Sequence, residues 1–184
     1  DLMRQAGVAP WPAGPGIEGL VPGPATRDGV RLAPSQGEDT AQTFELVMAM
    51  LGPLFERERV TMGMERFWSP DMMWYGPALI GSTRGLDGFF RDHQTPWMSA
   101  FPDWQDALGA PHFADGPYAC YAGWPSIRAT HAGPFLGLDP TGHTVDIRVM
   151  DWWRREDGLL AENWVLLDLP DLFLQLGVDL FARM

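Results

Sequence analysis

Four ionisable residues in the C-terminal third have types and settings that could do proton chemistry: His131, Asp151, Glu162 and Asp168. Asp151 lies in the run Thr144 to Glu156, where the period-two rule puts Val145, Ile147, Val149, Asp151 and Trp153 on one face of a strand. Asp146, Arg148, Met150, Trp152 and Arg154 fall on the other. A carboxylate in an apolar row is poorly solvated and its pKa tends upward, which makes a general acid or base. The alternative is that Asp151 pairs with Arg148, Arg154 or a Trp indole, since a buried carboxylate needs some partner.

Asp157-Gly158 is a two-residue hairpin signal, because a type I′ turn needs positive φ at both central positions. Counting back from that turn sets Glu156 opposite Leu159, Trp153 opposite Glu162, Asp151 opposite Trp164 and Ile147 opposite Asp168. Glu162, Trp164, Leu166 and Asp168 then share the face of Asp151. A one-residue slip would bring Asn163, Val165 and Leu167 beside Asp151 instead, because side chains alternate strictly. Asp168 fits two roles, an acid at the end of this face or an N-cap just before Leu169-Pro170. Glu162 also reads as a solvent-facing acid near the turn. His131 lies in the small-residue stretch Ala129 to Gly133, one strand beyond Ile147 from Asp168, and is either a site residue or a satisfied core histidine.

The elements that must position these groups follow from pattern. Asp39 and Gln42 have capping-box spacing ahead of Phe44, Val47, Met48 and Leu51, predicting a helix over 40–57. A second short helix is expected over 60–68 and a strand over 71–77, ended by Gly76-Pro77. A third helix is expected from Gly85 to His93, with an irregular continuation to Phe101. Turn signals at Ala114-Asp115-Gly116, Trp124-Pro125, Asp139 to Gly142 and Asp157-Gly158 divide the rest into four or five antiparallel strands. A last helix starts near Pro170. The order gives an α+β domain, a curved antiparallel sheet with helices on one face and a conical cavity between them.

Composition narrows the partners. The chain has 184 residues, 46% hydrophobic, enough for one domain with a good core. A net charge of −11 and no cluster of Lys or Arg argue against nucleic acid. Cys120 is the only cysteine, which excludes an intrachain disulfide and a Cys-rich metal site and fits a cytoplasmic setting. The four histidines, His93, His112, His131 and His143, lack metal-ligand spacing, so no metal is expected. No membrane span is expected either. Residues 1–38 hold six of the 17 prolines and seven of the 21 glycines and are expected to be an irregular extension. Nine tryptophans suit a roomy apolar pocket or a subunit interface. Trp74, Tyr75, Phe90, Trp97, Tyr118, Trp153 and Trp164, with Glu162, are the candidate substrate contacts. Met150 and Trp152 on the opposite sheet face predict a homodimer.

Five motifs in order resemble the SnoaL-like polyketide cyclases of the nuclear-transport-factor-2-like superfamily. They are Trp74-Tyr75-Gly76-Pro77; Phe101-Pro102-Asp103; Thr130-His131-Ala132-Gly133 with Pro140-Thr141-Gly142; Asp157-Gly158 to Glu162-Asn163-Trp164; and Asp168 with Gln175-Leu176-Gly177. The likeness runs from about Asp39 to Gly177, within a domain over 39–184. It implies a cone-shaped α+β fold and an enzyme that closes a ring by intramolecular aldol condensation without cofactor or metal. The implied substrate is a small apolar or aromatic carbonyl compound. It also matches Asp168 to the terminal acid of the family's E-x-W-x-x-x-D pattern. Isomerases, dehydratases and epoxide hydrolases share such cones, as do non-catalytic modules that bind an apolar ligand or dimerise.

Overall fold

Asp157 and Gly158 adopt φ of 49° and 80°, the left-handed pair that a type I′ turn requires. On this turn fold β6 (Thr144–Glu156) and β7 (Leu159–Leu167), the centre of the sheet. The computed structural model describes residues 23, 25, 37–56, 63–107 and 111–183. Most of the extension expected over 1–38, and part of the helix expected over 60–68, lie outside these residues. Within them, α1 (Glu38–Glu56) starts two residues before the predicted helix. Met64–Arg66 is a single 3₁₀ turn rather than part of a helix, and β1 (Trp68–Tyr75) begins at Trp68.

After β2 (Ser82–Arg84) the chain runs through α2 (Gly85–Phe89), a π-helical turn (Phe90–Gln94) and α3 (Thr95–Ala100). Then come β3 (Gln105–Asp106), β4 (His112–Asp115) and β5 (Tyr118–Thr130), the hairpin, and α4 (Leu169–Gln175). The sheet order is β2-β1-β7-β6-β5-β3, with β4 also on β5. The five strands β3 to β7 pair antiparallel as predicted. The sheet is nonetheless mixed, because β1 returns through the helices to lie parallel to β7, with Tyr75 opposite Trp164.

Two irregularities depart from the sequence reading. Trp124-Pro125 does not end a strand; it sits in a register shift between Gly123 and Ile127 within one long β5. Pro125 has no N–H for the ladder, and a bulge absorbs it while the strand bends. The second shift lies in β7. Pairing starts as predicted, with Glu156 opposite Leu159 and Arg155 opposite Leu160, but then Arg154 faces Glu162. Ala161 is the extra residue, and every later side chain of β7 changes face.

The inner face of β6 carries Val145, Ile147, Val149 and Trp153, each at most 5% exposed. They pack in one core with Val47, Met50 and Leu51 of α1, Phe89 of α2, Trp97 of α3, and Leu172 and Phe173 of α4. Full burial of each such side chain contributes about 1.5–3 kcal/mol. Gly76 permits the closest approach in this wall. A Cβ there would lie 2.1 Å from the Trp74 ring and 2.3 Å from the Gly81 carbonyl oxygen.

Candidate active site

A cavity of about 100 Å³ lies between the helices and the inner face of the sheet. Trp68, Trp74, Trp97, Trp104, Trp153, Phe89 and Tyr121 form the aromatic part of its wall. Asp151 is its only carboxylate, and no Lys or Arg side chain lines it, among the described residues. β6 supplies Asp151 with Val149 and Trp153, as alternation predicted. The slipped β7 supplies Asn163, Val165 and Leu167.

Asn163 Nδ2 donates to Asp151 Oδ1 at 3.3 Å and to the Trp152 carbonyl oxygen at 3.0 Å. Burial pushes the Asp151 carboxyl up to about 7, against a smaller downward pull from the Asn163 hydrogen bond. The group therefore exchanges its proton near neutrality. His93 also lines the cavity and is stacked on Trp74, with centroids 4.0 Å apart and planes 19° apart. Burial lowers its pKa to about 3, so it is a neutral imidazole at ordinary pH. Tyr121 Oη lies 2.6 Å from Asp106 Oδ1 and 2.7 Å from the Ser126 carbonyl oxygen, which fixes its ring. The Trp68 and Trp74 indole N–H groups have no hydrogen-bond partner among the described residues.

Three sequence-predicted residues besides Asp151 line this cavity: Trp74, Trp97 and Trp153. The others do not. Asp168 caps α4, accepting from Asp171 N at 3.2 Å through Oδ1, and pairs through Oδ2 with Arg148 Nη1 at 3.2 Å. The Ala161 bulge turned it away. The same slip carries Glu162 and Trp164 to the outer face. There Glu162 is buried against Arg154 and accepts from Ala25 N at 3.0 Å. Tyr75 stacks on Trp164 with centroids 5.7 Å apart, and Tyr118 lies beside the same ring at 6.4 Å.

His131 is fully buried outside the cavity wall, with Nδ1 3.1 Å from Thr141 Oγ1 and accepting from Thr141 N at 3.3 Å. It pins the loop between β5 and β6, and burial lowers its pKa. Phe90 is half-buried and packs on Phe89, which takes the wall position instead. His93 is the residue missed by sequence reasoning, while Asn163 enters through the slipped register that the sequence left open. Phe89, His93, Trp97 and Phe101 recur every four residues, and each neighbouring pair of rings is in contact. That spacing was the available signal for His93.

No group of three or more His, Cys, Asp or Glu side chains among the described residues is arranged to hold a metal ion. No described helix is long and apolar enough to cross a membrane. The family model for SnoaL-like polyketide cyclases matches residues 46–176. The chain belongs to this family.

Solved structures agree on the fold. A SnoaL-like protein from Jannaschia Sp. CCS1 superposes with a TM-score of 0.68 at 15% identity, covering 79% of this chain and 99% of its own. TsrD from Streptomyces laurentii matches with a TM-score of 0.60 at 25% identity, over 77% and 98% of the two chains. An NTF2-like protein from Burkholderia xenovorans LB400 matches with a TM-score of 0.60 at 13% identity, over 76% and 98%. This SnoaL-like chain is thus a nuclear-transport-factor-2-like α+β cone, as its motifs implied. No curated protein matches it.

Proposed function

We propose that this SnoaL-like protein is a cofactor-independent cyclase or isomerase, with Asp151 moving the proton. The observation that carries this reading is one carboxylate, without a cationic partner among the described lining residues, in a wall built from indoles. Asp151 as carboxylate takes a proton α to a carbonyl, leaving an enolate. The enolate carbon attacks a second carbonyl of the same molecule, forming the ring C–C bond. Protonated Asp151 then returns its proton to the new alkoxide. One residue serves both steps, so Asp168 is not needed in the cavity. A pKa near neutrality suits such a group, since it must both accept and give.

The wall selects the substrate class. Apolar indole faces receive a planar, uncharged carbonyl compound of polyketide type, and the described wall offers no cation to neutralise a permanent anion. A soluble 1,5-diketone, which closes to a six-membered ring by aldol addition, is a direct probe. The wild-type protein should accelerate closure, and Asp151→Asn should slow it roughly 10²–10⁴-fold, the usual worth of a positioned acid or base. Equal rates with folded wild type, folded variant and buffer would leave only a ligand-binding role.

A further inference from the structure

We propose that His93 is a catalytic residue of this cavity, hydrogen-bonding the substrate's carbonyl oxygen and stabilising the enolate that forms when a proton leaves the adjacent carbon. The inference rests on Asp151 as the proton acceptor, and its geometry is independent of that assignment. His93 lies in the π-helical turn Phe90–Gln94, closed by the Thr95 N–H on the Phe90 carbonyl oxygen. Such turns interrupt regular helices and recur at functional sites. The imidazole is clamped by Trp74 at 4.0 Å, by Phe89 edge-on at 5.3 Å and by Trp97 at 6.4 Å. All three rings also line the cavity.

A ring nitrogen open to a cavity, with no protein partner, is free to meet a ligand. The His93 ring nitrogens have no hydrogen-bond partner among the described residues, and the side chain is half-buried in the cavity wall. It differs from the Trp68 and Trp74 indoles, whose unpaired N–H groups are sealed from solvent. A neutral imidazole carries one N–H donor and one acceptor. In the same cavity wall as the Asp151 carboxylate, the imidazole N–H is a group suited to an oxyanion. Burial keeps the ring neutral, so it polarises the carbonyl without giving up its proton. In the proposed step the C–H electron pair becomes the enolate π bond, the proton goes to Asp151, and the His93 N–H stays covalently whole throughout.

The test uses two probes and the full chain. The first is 2-naphthol, whose hydroxyl on a planar ring stands in for the enolate. The second is deuterium exchange of the α-protons of 1-indanone. His93→Phe keeps a ring on Trp74 without N–H, and His93→Gln restores an N–H without the ring. His93→Phe should weaken 2-naphthol binding at least about tenfold and slow exchange roughly 10²–10³-fold, the usual loss for one oxyanion donor. His93→Gln should recover most of both. Unchanged affinity and exchange in His93→Phe would overturn the proposal, as would no binding of 2-naphthol by the wild type. Exchange lost in Asp151→Asn and kept in His93→Phe would overturn the His93 role while leaving Asp151 in place. Affinity lost in His93→Phe, with exchange indifferent to Asp151→Asn, would support the donor and remove the Asp151 reading. ¹⁵N-histidine NMR of the wild type needs no variant: 2-naphthol should shift a His93 nitrogen, and no shift would overturn the proposal.

Discussion

Asn163 reaches Asp151 across the β6–β7 pair, Nδ2 to Oδ1 at 3.3 Å, only because Ala161 adds one residue to β7. Without that bulge Trp164 would face Asp151. The hydrogen bond favours the ionised carboxylate, against the burial that raises its pKa. Asn163→Val should therefore move the Asp151 titration upward by about 0.5–1 unit, corresponding to one modest hydrogen bond. A pH–rate profile or a ¹³C carboxyl titration reads the shift, and an unmoved midpoint would show that the bond does not tune the acid.

Deleting Ala161 should collapse the fold. The shortened strand would turn Glu162 and Trp164 inward and Asn163 outward, and an unpaired carboxylate buried among indoles costs several kcal/mol. Thermal unfolding by circular dichroism should show no cooperative transition, or one far below that of the wild type. A deletion variant melting like the wild type would mean that β7 does not hold this register.

Asp151 and His93 make opposing contributions to stability. Asp151 rises from 3.8 to about 7 in the folded chain, so its contribution is complete below pH 3.8 and is lost as pH rises through 7. His93 falls from 6.5 to about 3, so its contribution is present above pH 6.5 and is lost as pH falls through 3. Between 3.8 and 6.5 the two slopes, up to about 1.4 kcal/mol per pH unit each, offset one another. Relative to wild type, Asp151→Asn should gain stability as pH rises from about 4 to 7, and His93→Gln should lose it from about 3 to 6.5. Urea midpoints across pH 3.5–7.5 measure both, and parallel curves would contradict the assigned protonation states.

Self-association through the outer sheet face is expected. Leu166 and Trp124 are 56% and 71% exposed there, beside Met150 and the Phe113–Trp152 contact. Sedimentation should show a dimer at micromolar concentration, and Leu166→Glu should return it to monomer. A monomeric wild type would retire the expectation.

The local chemistry of the hairpin was legible in the sequence: the Asp157-Gly158 turn, the β6 alternation and the placement of Asp151 all follow from residue type and spacing. The Ala161 bulge was not, because a small neutral residue fits a regular strand equally well and the slip is decided by whole-strand packing. In the observed register Glu162 pairs with Arg154 outside the cavity and Asp168 caps α4. Trp124-Pro125 misled because a proline that breaks a ladder looks the same whether the chain turns or bulges. His93 had its four-residue aromatic spacing, but spacing alone does not say which face of a helix meets a cavity.

The central claim is that Asp151, and not Asp168, moves the proton. Exchange of the α-protons of 1-indanone in D₂O, followed by NMR with wild type, Asp151→Asn and Asp168→Asn, tests it most directly. Asp151→Asn should lose roughly 10²–10⁴-fold in rate, and Asp168→Asn should stay within about threefold of wild type. A folded Asp151→Asn protein exchanging at the wild-type rate, or an Asp168→Asn protein that is folded and inactive, would contradict it.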